Sequence, residues 1–236
     1  MRVTLRTLLV VSLLATATTV GAQGLDPSGH WEGTITLPGG DIPFQVDVAK
    51  NAQGALVATY SRPENNLKGL PLANVALDGR RVTFELTVDG GVRFYGTLDA
   101  DGKTIAGDVT ARIGNAPFSM SRAGDAQIAP APKNATVGNE LEGTWEGTLS
   151  LQGVNLRLVL RMTNHADGTS AATIVSVDQG GIELPLAITQ KAATVTLNTP
   201  AIGGDFFSGA LNAAGELAGT FSQGPVTTTL TFVRSK

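Results

Sequence analysis

The chain has 236 residues, no cysteine and a formal net charge of −3 at pH 7. Its charged side chains are scattered, without the Lys/Arg cluster that displaces counterions from a phosphate backbone, which disfavours a nucleic-acid binder. The missing cysteines exclude a disulfide framework and a lipid-modified cysteine after export, leaving packing and hydrogen bonding to hold the fold.

Residues 1–22 have the layout of a secretory signal peptide. Arg2 and Arg6 precede the apolar run Leu8 to Leu14, and Val20-Gly21-Ala22 puts small residues where a signal peptidase reads. Cleavage is expected before Gln23, which would place the protein in the periplasm or outside the cell. The apolar run falls well short of the roughly 20 residues that span a bilayer, which disfavours a retained anchor. Without Arg2 and Arg6, 15 of the 17 basic side chains remain against 20 acidic ones.

The remainder repeats itself. Gly29-His-Trp-Glu-Gly-Thr34 returns as Gly143-Thr-Trp-Glu-Gly-Thr148, and Leu70-Pro-Leu72 as Leu184-Pro-Leu186. Gly96-Thr-Leu98 matches Gly209-Ala-Leu211, and Ile105-Ala-Gly107 matches Leu217-Ala-Gly219, in the same order. Internal repeats of this kind decide the architecture before any single element does. Between the copies, residues 124–139 contain Ile128-Ala-Pro-Ala-Pro132, an extended connector expected to bury no apolar face. The first module is therefore drawn over 27–123 and the second over 140–236.

Each copy alternates with period two. In the first, Ile42, Phe44, Val46 and Val48 alternate with Pro43, Gln45 and Asp47, and Val82, Phe84, Leu86 and Val88 repeat the pattern. In the second, Leu156, Leu158, Leu160 and Met162 alternate with Arg157, Val159 and Arg161. Such runs predict strands with one buried and one wet face. Turn residues punctuate them, among them Gln53-Gly54, Asp78-Gly79, Asp89-Gly90, Asp101-Gly102, Asp167-Gly168 and Gly203-Gly204. The reading is all-β: two tandem antiparallel up-and-down barrels of about eight strands each, since closure removes exposed edges. One larger barrel shared by both copies, or a pair of sandwiches, are the alternatives.

The second copy also carries Ser176-Val-Asp-Gln-Gly180, Ile202-Gly-Gly-Asp-Phe-Phe-Ser-Gly-Ala-Leu211, Leu217-Ala-Gly-Thr-Phe-Ser-Gln-Gly224 and Leu230-Thr-Phe-Val-Arg234. With its Trp-Glu-Gly start, this set resembles the lipocalin-like β-barrel module that precedes α/β-hydrolase-type serine hydrolase domains in secreted bacterial enzymes. The resemblance covers 141–234 and implies a barrel and an exported setting. It carries no catalytic residue across, because the hydrolase part is not among these residues. The first copy departs from it, with Ser61-Arg-Pro-Glu-Asn65 at the Asp-Gln-Gly position and Thr110-Ala-Arg-Ile-Gly114 near the Phe-Ser-Gln-Gly position.

Chemistry is sparsely signalled. His30 and His165 lie in different copies at non-equivalent positions and read as solvent-facing, so neither a metal nor another cofactor is expected. No G-x-S-x-G elbow, Ser-x-x-Lys, phosphate loop or HExxH occurs, and no catalytic residue is assigned. Trp31 and Trp145 stand at equivalent places. They are either an aromatic platform for a ligand or, the preferred reading for a small barrel that side chains must fill, plugs at one end. The loop-end group Ser176, Asp178, Gln179 and Gln223 could orient a ligand or serve as turn chemistry. These six residues are the tentative ligand-binding set.

The function expected from this is a non-catalytic exported binding protein for a small apolar or amphipathic ligand at a barrel mouth. The alternative is an accessory module that docks onto a separately encoded hydrolase or another envelope partner. An enzyme of unrecognised type finds least support. Charged residues at outward positions, Asp47, Glu85, Arg157 and Arg161, argue against insertion of a barrel into a membrane.

Overall fold

The computed structural model describes residues 25–87, 91–112, 114–151, 153–202 and 204–235. The leader, Val88, the Asp89-Gly90 pair, Ile113 and Gly203 lie outside them. The chain forms two antiparallel barrels. In the first, β1 (Gly29–Ile35), β2 (Ile42–Lys50), β3 (Leu56–Arg62), β4 (Leu67–Asp78), β5 (Arg81–Leu86), β6 (Val92–Leu98), β7 (Thr104–Ala111) and β8 (Gly114–Gly124) follow one another around the sheet. The last strand returns to the first, from His30↔Gly124 to Ile35↔Phe118, and closes the barrel. The alternation seen in the sequence becomes inside and outside, with Val82, Phe84 and Leu86 buried and Arg81 exposed.

A short strand, β9 (Asn134–Ala135), leads into the second barrel. There follow β10 (Gly143–Leu151), β11 (Val154–Asn164), β12 (Thr169–Ser176), β13 (Glu183–Pro185), β14 (Ala187–Lys191), β15 (Thr194–Thr199), β16 (Gly204–Leu211), β17 (Leu217–Gln223) and β18 (Val226–Arg234). The sheet runs from β13 through β12, β11, β10, β18, β17, β16 and β15 to β14. Its two ends are adjacent in sequence, separated by Leu186 alone, so this sheet also curls into a barrel. β13 and β14 together occupy the place of β4, which pairs β3 with its first half and β5 with its second. The expected eight-strand plan therefore holds in the first barrel, and in the second one strand is split in two.

The split would leave backbone groups of the seam unpaired, and buried polar groups without partners are costly. Leu186 donates its N–H to Ala172 O, while its carbonyl and the N–H of Ile188 find their partners on the connector. The buried side chain of Asn134 supplies both partners. Its Nδ2 donates to Leu186 O at 3.0 Å, and its Oδ1 accepts from Ile188 N at 2.8 Å. The connector is thus not the spacer expected from its prolines. Ser170 Oγ donates to Ala135 O, Val137 N to Asn164 Oδ1, and the Val137 side chain is part of the second core.

One end of each barrel is sealed by a tryptophan. Trp31 and Trp145 are completely buried, and their indole N–H groups donate at 2.9 Å to Pro27 O and Leu141 O. Over each ring lies an arginine from the last strand, Arg122 at 4.5 Å and Arg234 at 4.4 Å from the ring centroid. The guanidinium also donates to backbone carbonyls of the entry segment: Ser28 and Asp26 in the first barrel, Glu142 and Glu140 in the second. In the second barrel the arginine passes so close that a Cβ on Gly143 would lie 2.7 Å from Arg234 Nη1. Neither Trp31 nor Trp145 offers an exposed platform, since each ring is buried and its N–H already has a backbone partner; this is the geometry of an end plug.

Truncation at Trp145→Ala is expected to destabilise the second barrel by about 3–5 kcal/mol, the range for a large aromatic lost from a core. Asn134→Ala is expected to cost about 1–3 kcal/mol, because it strands a buried carbonyl and a buried N–H together. Urea unfolding followed by circular dichroism measures both. Losses within a few tenths of a kcal/mol, the range of an ordinary surface substitution, would contradict the plug and the seam bridge.

Candidate functional site

The end opposite the tryptophan distinguishes the two barrels. In the first, Phe44, Tyr60, Phe84, Phe94 and Phe118 form one contiguous aromatic cluster, with centroids 4.6 to 6.4 Å apart. Strand register identifies their counterparts. Gly33 faces Phe44 where Gly147 faces Leu158, and Val46 faces Tyr60 where Leu160 faces Ile174. Phe84 opposite Phe94 becomes Leu197 opposite Phe207, and Gly107 opposite Phe118 becomes Gly219 opposite Leu230. Four of the five rings are thus aliphatic in the second barrel. Interiors close-pack, so smaller side chains on a similar frame leave space.

Two of the four, Leu158 and Ile174, line a cavity of about 350 Å³ at the mouth of the second barrel. One wall is aliphatic, with Leu149, Leu156, Leu158 and Ile174, and the facing wall is the edge-to-face pair Phe206–Phe221 at 5.4 Å. Phe206 reaches it through a bulge. The register of β15 against β16 shifts between Leu197 and Asn198, so that Phe206 and Phe207, adjacent in sequence, are both buried. In the first barrel β5 and β6 pair without a shift, and Arg93 projects outward to meet Glu85 at 3.3 Å.

The first barrel forms the roof. Leu67, Leu70 and Leu86 line the cavity from its side, and Ala201, Ile202, Ile182 and Leu184 of the second barrel pack against the first core. The two barrels meet tightly at Gly180, where a Cβ would stand 1.4 Å from Thr87 O. Gly180 ends a 3₁₀ turn, Val177–Gln179, and has a φ of 87°. The first copy builds the same turn over Pro63–Asn65 with Asn66 in the left-handed region.

Of the four polar residues singled out in sequence, three converge. Ser176 ends β12, Gln179 lies on the turn and Gln223 ends β17, and all three line the cavity. Ser176 Oγ is shut off from solvent and has no hydrogen-bond partner. Asp178 does not join them. It turns outward into a bidentate pair with Arg157, with Oδ1 2.6 Å from Nη2 and 3.0 Å from Nε, while Oδ2 accepts from Arg157 N. The guanidinium beside it holds the Asp178 carboxyl below the usual carboxylate range. Asp178 is thus corrected from a ligand contact to a brace for the turn that carries Gln179. Thr199, the last inward residue of β15, also lines the cavity; sequence reasoning missed it, although it continues the alternation of Val195 and Leu197.

The histidines differ from each other. His165 is exposed in a turn, as expected, but His30 is largely buried against Asp47, with Nδ1 2.8 Å from Oδ1. Asp47 does not face solvent, as its place in the alternation predicts. The connector covers it, and Gln127 N donates to the same oxygen at 2.7 Å. Among the described residues, no group of three or more His, Asp or Glu side chains gathers as a metal site would require.

A comparison with protein-family models finds no match to this chain, and a comparison with curated proteins finds none. Among solved structures it is similar to a candidate outer membrane protein of Bacteroides fragilis, at 14% identity over 89% of this chain and 97% of that one, with a TM-score of 0.28. It is also similar to a DUF3598-family protein of unknown function from Nostoc punctiforme, at 13% identity over 88% and 96% of the two chains, with a TM-score of 0.26. No link to hydrolases comes from either.

The filled interior of the first barrel has a consequence at alkaline pH. Burial pushes the Tyr60 phenol up from 10.0 to about 12. The folded state then holds a proton that the unfolded state releases, so this contribution is complete below pH 10 and is lost as the pH rises towards 12. Urea midpoints measured across that interval should fall more steeply for the parent chain than for Tyr60→Phe. Parallel slopes would contradict the assignment.

Proposed function

We propose that the chain is an exported, non-catalytic binding protein that takes a small apolar or amphipathic ligand at the mouth of its second barrel. One observation carries this reading: the cavity of about 350 Å³, walled by Leu, Ile and Phe and edged by a few polar side chains. Its size and character suit small-molecule sites, which run from about 300 to 1,000 Å³ and combine apolar walls with a few polar groups. Export is argued from the leader. The first barrel is assigned the role of cap, its own interior being taken up by aromatic rings. No reaction is assigned to the chain. Docking onto a separately encoded hydrolase rests on the sequence resemblance alone, and fold-level analogy is weak warrant for function.

The test transplants the filling of one barrel into the other. The mature chain is titrated with Nile red, a neutral apolar dye whose emission rises on leaving water. The double variant Leu158→Phe with Ile174→Tyr carries aromatic residues at the positions of Phe44 and Tyr60. The parent is expected to bind the dye saturably. The variant is expected to keep its circular dichroism and lose most of that binding. Equal dye binding by a folded variant, or no saturable binding by the parent, would overturn the proposal.

A further inference from the structure

The cavity has a chemical bias that its volume does not reveal. None of the described residues that line it has an ionisable side chain. Several charges adjacent in sequence to lining residues are engaged outside it: Arg157 with Asp178 at 2.6 Å, Glu183 with Arg161 at 3.4 Å and Glu85 with Arg93 at 3.3 Å, while Lys68 lines a separate groove beside the connector. An ion placed among Leu158, Ile174, Phe206 and Phe221 would lose its hydration and find no counter-charge, and burial of an unpaired charge is costly.

Hydrogen-bonding capacity is nevertheless present. Gln179 and Gln223 each offer an amide that both donates and accepts, and Ser176 and Thr199 each offer a hydroxyl that does the same. The sealed Ser176 Oγ, without a partner, is the kind of buried polar group that is normally satisfied in a native structure. Ser176 and Gln223 stand at strand ends, and the alkyl and aromatic walls lie deeper along the same strands.

We infer that the ligand of this cavity is an uncharged amphiphile, an apolar chain ending in a neutral head group that donates and accepts hydrogen bonds, such as an amide, an alcohol or a glyceryl ester. The chain lies against the aliphatic and aromatic walls. The head meets Ser176, Gln179 and Gln223. A carboxylate, phosphate or ammonium head is discriminated against by the absence of a partner, which is specificity through an uncompensated charge. This inference rests on the binding reading above and adds the class of ligand to it.

The experiment measures Nile red displacement from the full mature chain at neutral pH by amphiphiles of matched chain length, each below its micelle concentration. Dodecanamide and glycerol monododecanoate are compared with dodecanoate and dodecylammonium. The neutral pair is expected to displace the dye at concentrations at least about tenfold lower than either ion. Gln223→Lys is expected to bring dodecanoate to within a few-fold of the amide by supplying the missing counter-charge. Displacement by dodecanoate or dodecylammonium as effective as by the amide would overturn the inference while leaving the binding reading in place. Failure of the parent chain to bind the dye at all would overturn that reading, and this inference with it.

Discussion

Each barrel is closed by a tryptophan held between the core and an arginine. A sheet of this size gains nothing by closing unless its first strand, its last strand and the segment that enters it are tied together. Trp31 and Arg122, and Trp145 and Arg234, make that tie in one place. The indole fills the end and satisfies its N–H on the entry segment, and the guanidinium spans from the last strand to carbonyls of the same segment. A cation over an indole face, desolvated on one side, strengthens the contact further. The pairing of β10 with β18 runs from Trp145 to Gly147, a shorter closing ladder than that of the first barrel.

With one end sealed in the same way in both copies, the other end is where they diverge. The divergence is a matter of volume. Phe44, Tyr60, Phe84 and Phe118 in one barrel stand where Leu158, Ile174, Leu197 and Leu230 stand in the other, on similarly paired strands. The first interior holds a contiguous cluster of five rings. The second keeps a cavity, partly refilled by Phe206 and Phe221 from the opposite side. The difference in side-chain size, together with the split strand and the bulge that brings in Phe206, leaves space at one mouth that the other fills with rings.

Docking couples the two outcomes. The mouth of the second barrel exposes apolar side chains, and the first barrel covers them with Leu67, Leu70 and Leu86. The close approach of Thr87 O to Gly180 leaves no room for a side chain on that turn. The connector adds a further restraint at each end, through Gln127 on Asp47 and through Asn134 in the split seam. It behaves as part of both barrels, which the spacing of its prolines does not reveal.

The sequence alone determined the two-copy organisation, the all-β character and the inside–outside assignment of most strands, because alternation and turn chemistry are local properties of neighbouring residues. It also picked out Ser176, Gln179 and Gln223, since polar residues beside a turn at a strand end are recognisable without a partner. Only the tertiary structure decided the rest. Asp178 braces Arg157, and His30 and Asp47 are covered by a segment some 80 positions along the chain from Asp47. A bulge turns Phe206 inward against the period-two pattern. Whether a barrel is hollow depends on the summed volumes of side chains from Leu149 to Phe221 and on a roof supplied by residues 67–86. Such a sum is fixed by packing between residues far apart in sequence, and no local pattern encodes it.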